Sequence, residues 1–419
     1  MYSIFVQIAS YRDPELVPTV LNLFENAKYP KRIKVCIGWQ HSGDENIDAI
    51  KLLPNVKIID VPANKSKGAC WIRSKIQQQY DGETYTLQLD SHHRFIKDWD
   101  VTLVDLYKRL KNKGYEKPLI TSYLPSYQPS TDPVGRLNEC WQLNFDRFLP
   151  EGVLFLRPSL IKDWQNIEDA VPSRGLSAHF IFTSGLWCLE VPYDPDLYFH
   201  GEESSLAIRS FTKGYDLLHP TKIVSWHQYT REGIRKHWDD HSTSWDRLNS
   251  ISYKRVKILL GVDGEDPEQI NFGAYGLGNK RTLRDFELYA GVHFNTRRFH
   301  RDCVKEILPP IKFDTEENFE KGLCTWTKHC IDIYKGDLTE KDYDFWCCVF
   351  KDKDDKDLYR QDLDENEIRY LMNLDPNDKF VHIWREFEIN ERPFKWTVWP
   401  HSRSKDWNTK ILENNIPYA

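Results

Sequence analysis

No Cys-x-x-Cys pair occurs in the 419 residues, and the nine cysteines are odd in number and irregularly spaced, with Cys347 beside Cys348. This excludes a zinc cage built on paired cysteines and offers no disulfide framework, so a reducing compartment is expected. The sequence also lacks a charged segment followed by a long apolar stretch, and no run approaches 18 apolar residues. A protein without a transmembrane segment, and a cytoplasmic one, is therefore expected. An excess of basic residues is missing too: 57 Lys and Arg against 63 Asp and Glu leave a formal net charge of −6. That argues against nucleic acid as a partner but leaves room for a local basic pocket. No internal repeat is present. A chain of this length buries a large core without staples, as two domains or as one large domain with an added module.

Aromatic residues are plentiful instead, with 15 Trp, 21 Tyr and 21 Phe. Flat rings stack on the C–H faces of sugars, although a core rich in large side chains explains the same composition. The first half alternates short apolar runs with helical spacing, the pattern of an α/β sheet. Strands are expected at Ile4–Ala9, Ile33–Trp39, Val56–Val61, Tyr85–Leu89 and Leu119–Ser122. Between them, the apolar spacing predicts helices around Val17–Phe24, Ala69–Tyr80 and Trp99–Leu110. Asp13-Pro14 reads as a helix cap and first helical residue. After an irregular stretch, Gly201–Lys213 reads as a helix and Ile223–His227 as a strand. Ser244–Leu260 reads as a helix with Trp245, Leu248, Ile251, Val256 and Leu259 on its core face. Leu308-Pro309-Pro310 breaks the pattern. Beyond it, Cys324–Tyr334, Asp344–Phe350, Phe380–Phe387 and Lys395–Trp399 read as strands, and the run Lys351–Asp357 as a solvated hairpin loop without the glycine hinge of a calcium loop.

Four segments carry chemistry. In Leu87–Phe95 an apolar strand runs into Asp90-Ser91-His92. Ligands of open α/β sheets bind at the carboxyl ends of strands, so Asp90 and His92 can reach one ion there. Their mixed oxygen and nitrogen donors suit Mn²⁺ or Mg²⁺ bridging to a diphosphate; a chance Asp-Ser-His on a surface turn is the competing reading. Gly68 precedes a helix whose free N–H groups suit a phosphate or ribose, and Arg73, one turn in, offers a forked contact or a plain salt bridge. Glu202 and Glu203 head another helix, where they either complement its dipole or place one carboxylate at a reacting centre. His227 ends a strand, as a third metal ligand or as a satisfied structural histidine.

Taken together, these segments resemble the glycosyltransferases typified by cytoplasmic polypeptide-hydroxyproline N-acetylglucosaminyltransferases and their bacterial relatives. The resemblance rests on Ile8–Leu16, Lys67–Arg73, Leu89–Phe95, Phe182–Gly185, Glu190–Pro195, Gly201–Glu203 and Tyr275–Leu283, seven stretches in one order across residues 1 to about 295. A more distant similarity is to the mucin-type polypeptide GalNAc-transferases, in which an Asp-x-His pair and a later His hold Mn²⁺. The resemblance implies a GT-A-type, Rossmann-like α/β domain and a retaining transfer of N-acetylglucosamine from UDP-GlcNAc, with Mn²⁺ or Mg²⁺, to a hydroxyl acceptor on a protein or glycan. It implies Asp90, His92 and His227 as metal ligands, and Ala9, Ser10, Tyr11 and Arg12 as the nucleoside pocket. Gly68, Arg73 and Asp90 lie near the donor, and Glu202 or Glu203 near the anomeric carbon. His93 and His200 depart from the family pattern, which often has Met and an aromatic there. The expected division is a catalytic domain at 1–262, a tail packed on it at 263–310 and a smaller β-rich module at 311–419. An inverting transferase of the same fold, or a sugar-binding protein with an inactive transferase domain, are the alternative readings.

Overall fold

The structure, a computed structural model, describes residues 2–389 and 391–416. Its centre is an eight-stranded sheet. The strands are β1 (Ile4–Tyr11), β2 (Ile33–His41), β3 (Val56–Pro62), β4 (Tyr85–Asp90), β5 (His93–Phe95), β6 (Pro118–Thr121), β7 (Trp141–Phe148), β8 (Leu154–Leu160), β9 (Ala170–Pro172), β10 (Phe180–Ser184), β11 (Asp216–Pro220) and β12 (Ser225–His227). Eight of these form the sheet in the order β3-β2-β1-β4-β10-β6-β11-β9, while β7 pairs with β8 and β12 with β5 outside it. The pairs among β3, β2, β1 and β4 are parallel, as is β6 with β11; β10 is inserted antiparallel between β4 and β6.

The central strands are buried on both faces, as expected where helices cover both sides. Ile4, Val6 and Ile8 of β1, with Leu87 and Leu89 of β4, face one core with the helices Leu16–Glu25 and Trp99–Asn112. Phe5 faces the opposite core with Ile72 and Ile76 of the helix Ala69–Gln77 and Leu206 and Ile208 of the helix Glu202–Thr212. The period of two therefore sends Gln7, Ala9 and Tyr11, and on β4 Gln88 and Asp90, to the second face. That face carries the site.

Two expectations are corrected. Asp13-Pro14 does not cap a helix: the first helix starts at Leu16 with Glu15 as its cap residue, and Pro18 sits in the first turn, where its missing N–H costs nothing. The Trp245–Leu259 helix buries Asn249 and Ser252 and exposes Trp245 and Ile251. The reason is close approach: Ser252 Oγ donates to the His200 carbonyl at 3.2 Å, and Val256 lies against Gly201, leaving no room for a large side chain at 252. β12 lies outside the central sheet, paired antiparallel with β5.

The C-terminal region is smaller and β-rich. It continues with β13 (Val292–His293), β14 (Arg298–His300), β15 (Leu323–Tyr334), β16 (Tyr343–Lys351), β17 (Asp357–Arg360), β18 (Leu363–Asp364), β19 (Phe380–Ile389) and β20 (Lys395–Ser402). One sheet runs β13-β14-β15-β19, and β16 and β20 centre another. Ile331, Trp346, Phe350, Ile383 and Val398 fill the core between them, closed by the helix Glu365–Asn373. Because β14 pairs with β15, and Phe319 and Leu323 join the same core as Phe5, the two regions are continuous through this sheet. The Lys351–Asp357 run is the β16–β17 hairpin loop, as expected. Among the described residues no helix is long and apolar enough to cross a membrane.

Candidate active site

Asp90 is the last residue of β4 and lies in register with Ala9 of β1. Its carboxylate is held from behind by Arg73, whose guanidinium donates to Asp90 Oδ1 at 2.5 Å and to the Ala178 carbonyl at 2.8 Å. Two imidazoles converge on the other oxygen: His227 Nε2 lies 3.3 Å and His92 Nε2 3.8 Å from Asp90 Oδ2. His227 arrives by a route separate from the central sheet. It pairs with His93 across the β12–β5 ladder, and its backbone N–H donates to Pro125 O at 3.0 Å while its carbonyl accepts from Tyr127 N at 3.2 Å.

Asp13 stands behind His92. This buried carboxylate accepts from His92 Nδ1 at 2.6 Å, Ser91 Oγ at 2.6 Å and Arg231 at 3.0 Å. Burial alone would push its pKa up, but the His92 hydrogen bond and the charges of His92 and Arg231 outweigh burial and hold it below the usual range. With Nδ1 engaged by Asp13, the His92 ring is oriented so that Nε2 points toward Asp90. The Asp90 carboxyl is likewise held well below its usual value: burial opposes this, and the His227 hydrogen bond and Arg73 win. Burial drops His227 to about 4, leaving a neutral imidazole whose Nδ1 has no hydrogen-bond partner.

A divalent cation fits this set. One donor atom from each of Asp90, His92 and His227 lies within 4.8 Å of the others, and the states are those a metal needs, an ionised carboxylate and an imidazole with a free lone pair. One oxygen and two nitrogens favour Mn²⁺ over Mg²⁺. His93 is fully buried and turned the other way, its Nδ1 3.2 Å from Ser225 Oγ, so it does not join the set.

These residues open on a cavity of about 440 Å³, also lined by Ala9, Tyr11, Gly68, Arg73, Glu202 and Glu203. Gly68 has φ 109°, and a Cβ there would come within 2.8 Å of the Tyr198 ring, so both conformation and space require glycine. Ser10 and Arg12 are not brought to the cavity. Ser10 falls on the opposite face of β1, buried in the sheet, and Arg12, past the end of the strand, turns outward to pair with Asp240 at 2.9 Å and Glu45 at 3.7 Å. Both glutamates line the cavity. Glu202 is buried 3.4 Å from Arg73 Nε, and burial raises its pKa against that charge. Glu203 accepts from the Ala178 N–H at 2.9 Å, and burial pushes it up to about 7.

Sequence reasoning passed over the loop after β12. Arg231, Arg235, Lys236, His237 and Trp238 all line the cavity, giving three cations within six residues and a stacking surface. The Tyr11 ring lies 5.2 Å from the His237 ring, and Tyr198 Oη is 2.8 Å from His237 Nδ1. The signal was legible in Arg231-Glu-Gly-Ile-Arg235-Lys236, a basic cluster directly following a strand-end histidine in an acidic chain.

An α/β sheet whose strand-end acid and histidines face a basic, aromatic cavity is the arrangement of a nucleotide-sugar enzyme. The chain belongs to the GlcNAc glycosyltransferase family, whose model, Glycosyltransferase (GlcNAc), matches residues 3–55 and 49–296; it is a glycosyltransferase enzyme. No curated protein sequence matches it. Among solved structures, S. aureus TarS 1-349 aligns at 10% identity over 54% of this chain and 60% of that one, with a TM-score of 0.37. Its complex with UDP-GlcNAc aligns at 12% identity over 64% and 69%, TM-score 0.40. GalNAc-T7 with UDP, GalNAc and Mn²⁺ aligns at 15% identity over 99% and 79%, TM-score 0.46.

Proposed function

We propose that the protein transfers N-acetylglucosamine from UDP-GlcNAc to a hydroxyl group, with retention of configuration and with Mn²⁺ held by Asp90, His92 and His227. The observation that carries this reading is the convergence of two imidazole nitrogens on one oxygen of Asp90, with that carboxylate held ionised and His227 held neutral. When bound, the ion would supply positive charge against the departing diphosphate.

The chain's own residues do the rest. Arg73 and Asp13 fix the orientations of Asp90 and His92. Arg231, Arg235 and Lys236 supply the cationic wall for a diphosphate, and Tyr11 and His237 the rings for its base. Glu203, rigidly held by the Ala178 N–H and poised near neutrality, takes the acceptor hydroxyl's proton or orients that hydroxyl. Glu202 is the partner of Arg73 and shapes the sugar side of the cavity. Residues 1–262 are the catalytic part, 263–310 a tail on it, and 311–419 an accessory module. The acceptor class is a protein hydroxyproline or a glycan hydroxyl, in keeping with the sequence resemblance.

The test is incubation of the full chain with UDP-GlcNAc and panels of hydroxyproline peptides and glycans, with Mn²⁺ or chelator, followed by NMR of the new linkage. An α-linked GlcNAc product formed only with metal supports the reading. A β-linked product would replace retention by inversion, and turnover unaffected by chelator would remove the metal.

A further inference from the structure

A second group of metal-ligating side chains lies on the C-terminal region, far from the transferase cavity in the chain. In the antiparallel β15–β19 pair, Asp332 faces His382 directly and Cys330 sits one outward position before Asp332. Outward residues alternate along a strand, so Cys330, Asp332 and His382 share the solvent face. Their donor atoms form a triangle: Asp332 Oδ1 is 2.7 Å from His382 Nδ1 and 3.2 Å from Cys330 Sγ, and Cys330 Sγ is 3.9 Å from His382 Nδ1.

We propose that Cys330, Asp332 and His382 form a binding site for a thiophilic divalent cation of the Zn²⁺ class, clipping β15 to β19. Tetrahedral Zn²⁺ with S, N and O donors places those atoms about 3.3–3.6 Å apart, so side-chain adjustments of tenths of an ångström accommodate the ion. The spacing rests on a ten-pair ladder, which holds the ligands' backbones in register before any ion binds. The support expected behind a metal-bound imidazole is also present. His382 Nε2 lies 3.0 Å from Asp378 Oδ2, and the other oxygen of Asp378 accepts the Phe380 N–H at 2.9 Å. A carboxylate so anchored fixes the ring and leaves Nδ1 as the ligating nitrogen.

The donor set also selects the ion. A thiolate with an imidazole prefers Zn²⁺ or Co²⁺ to Mg²⁺ or Ca²⁺, whereas Asp90, His92 and His227 include no sulfur. With three protein ligands, the fourth position stays open to water. The arrangement without metal is an imidazole between two carboxylates, and that is the reading the experiment must exclude.

The experiment is a Co²⁺ titration of the full chain carrying His92→Ala, which disables the transferase-site set, followed by absorption spectroscopy. A thiolate-to-cobalt charge-transfer band in the near ultraviolet is expected, saturating at one ion per chain and bleached by one equivalent of Zn²⁺. The band should vanish in Cys330→Ser, and His382→Gln and Asp378→Asn should weaken binding at least ten-fold. Cys330 and His382 are on the ladder and Asp378 lies just before β19, and circular dichroism checks that each variant folds. Absence of the band at millimolar Co²⁺, or its survival in Cys330→Ser, would overturn the site.

Discussion

Replacing Asp13 with Asn tests whether the carboxylate behind His92 serves the metal or only the fold. Asp13 receives three side-chain donors, from Ser91, His92 and Arg231, and the Glu15 backbone N–H. Asn keeps the shape but offers one acceptor oxygen: with it at the Oδ2 position, where Ser91, His92 and Arg231 all donate, the amide NH2 meets the Glu15 backbone N–H. Hydrogen bonds to charged groups are worth about 1.5–3 kcal/mol each. Loss of the Glu15 bond and of the negative charge under the other three, with Arg231 left short of its counter-charge, predicts a stability loss of about 2–4 kcal/mol. The imidazole would also exchange a charged carboxylate partner for a neutral amide oxygen, and changes in such supporting groups cost about 10–100-fold in metal affinity. The assays are a urea unfolding curve and a Mn²⁺ titration followed by calorimetry. The pH dependence has a definite sign. The Asp13 carboxyl is depressed below its ordinary 3.8, so its stabilisation is complete above that pH and disappears as pH falls through the depressed value. The difference between wild type and Asp13→Asn should therefore be constant near neutrality and shrink below about pH 4. A destabilised variant that binds Mn²⁺ as tightly as wild type would refute the assignment and leave Asp13 as an anchor alone.

Other outcomes follow from the same geometry. His227→Ala should raise the Mn²⁺ concentration needed for half-maximal activity at least ten-fold; a lowered melting temperature with unchanged metal dependence would make His227 structural. Glu203→Gln should cut kcat strongly with little change in KM, since a proton-transfer group acts in the transition state. Because Glu203 titrates near 7 when folded, its ionisation costs stability as pH rises, so Glu203→Gln should melt higher than wild type at pH 8 and equally at pH 4; equal melting at both values would count against a buried, elevated carboxyl. Gly68→Ala should destabilise the fold by about 1–3 kcal/mol and raise KM for the donor, because the new Cβ meets the Tyr198 ring in a backbone conformation closed to alanine; unchanged KM would separate this turn from donor binding.

The central strands were legible because each is a short apolar run bounded by turn residues, and Asp90 and His92 because they lie on one strand end. Local pattern did not reveal partners set by tertiary contact. Asp13 reads as a cap before Pro14, and nothing nearby indicates that His92, 79 positions away, would claim its carboxylate. The resemblance groups Ser10 and Arg12 with Ala9 and Tyr11, although the period of two along β1 puts Ser10 on the other face and Arg12 lies past the end of the strand. The Trp245–Leu259 helix was oriented by its apolar residues, while Ser252 and Asn249 face inward because Gly201 draws the helix close. The β7–β8 hairpin and antiparallel β10 fell in the irregular aromatic stretch, where pairing between distant segments, not periodicity, decides structure.

The most direct test of the account is metal-dependent cleavage of UDP-GlcNAc by wild type and by Asp90→Asn, both verified as folded. Asp90 is the one ligand shared by both imidazoles, and Asn at that position keeps its size while removing the charge. The account predicts UDP release by wild type that Mn²⁺ restores after chelation, and a loss of at least a hundred-fold in Asp90→Asn even at saturating Mn²⁺. UDP release by Asp90→Asn at the wild-type rate would contradict it.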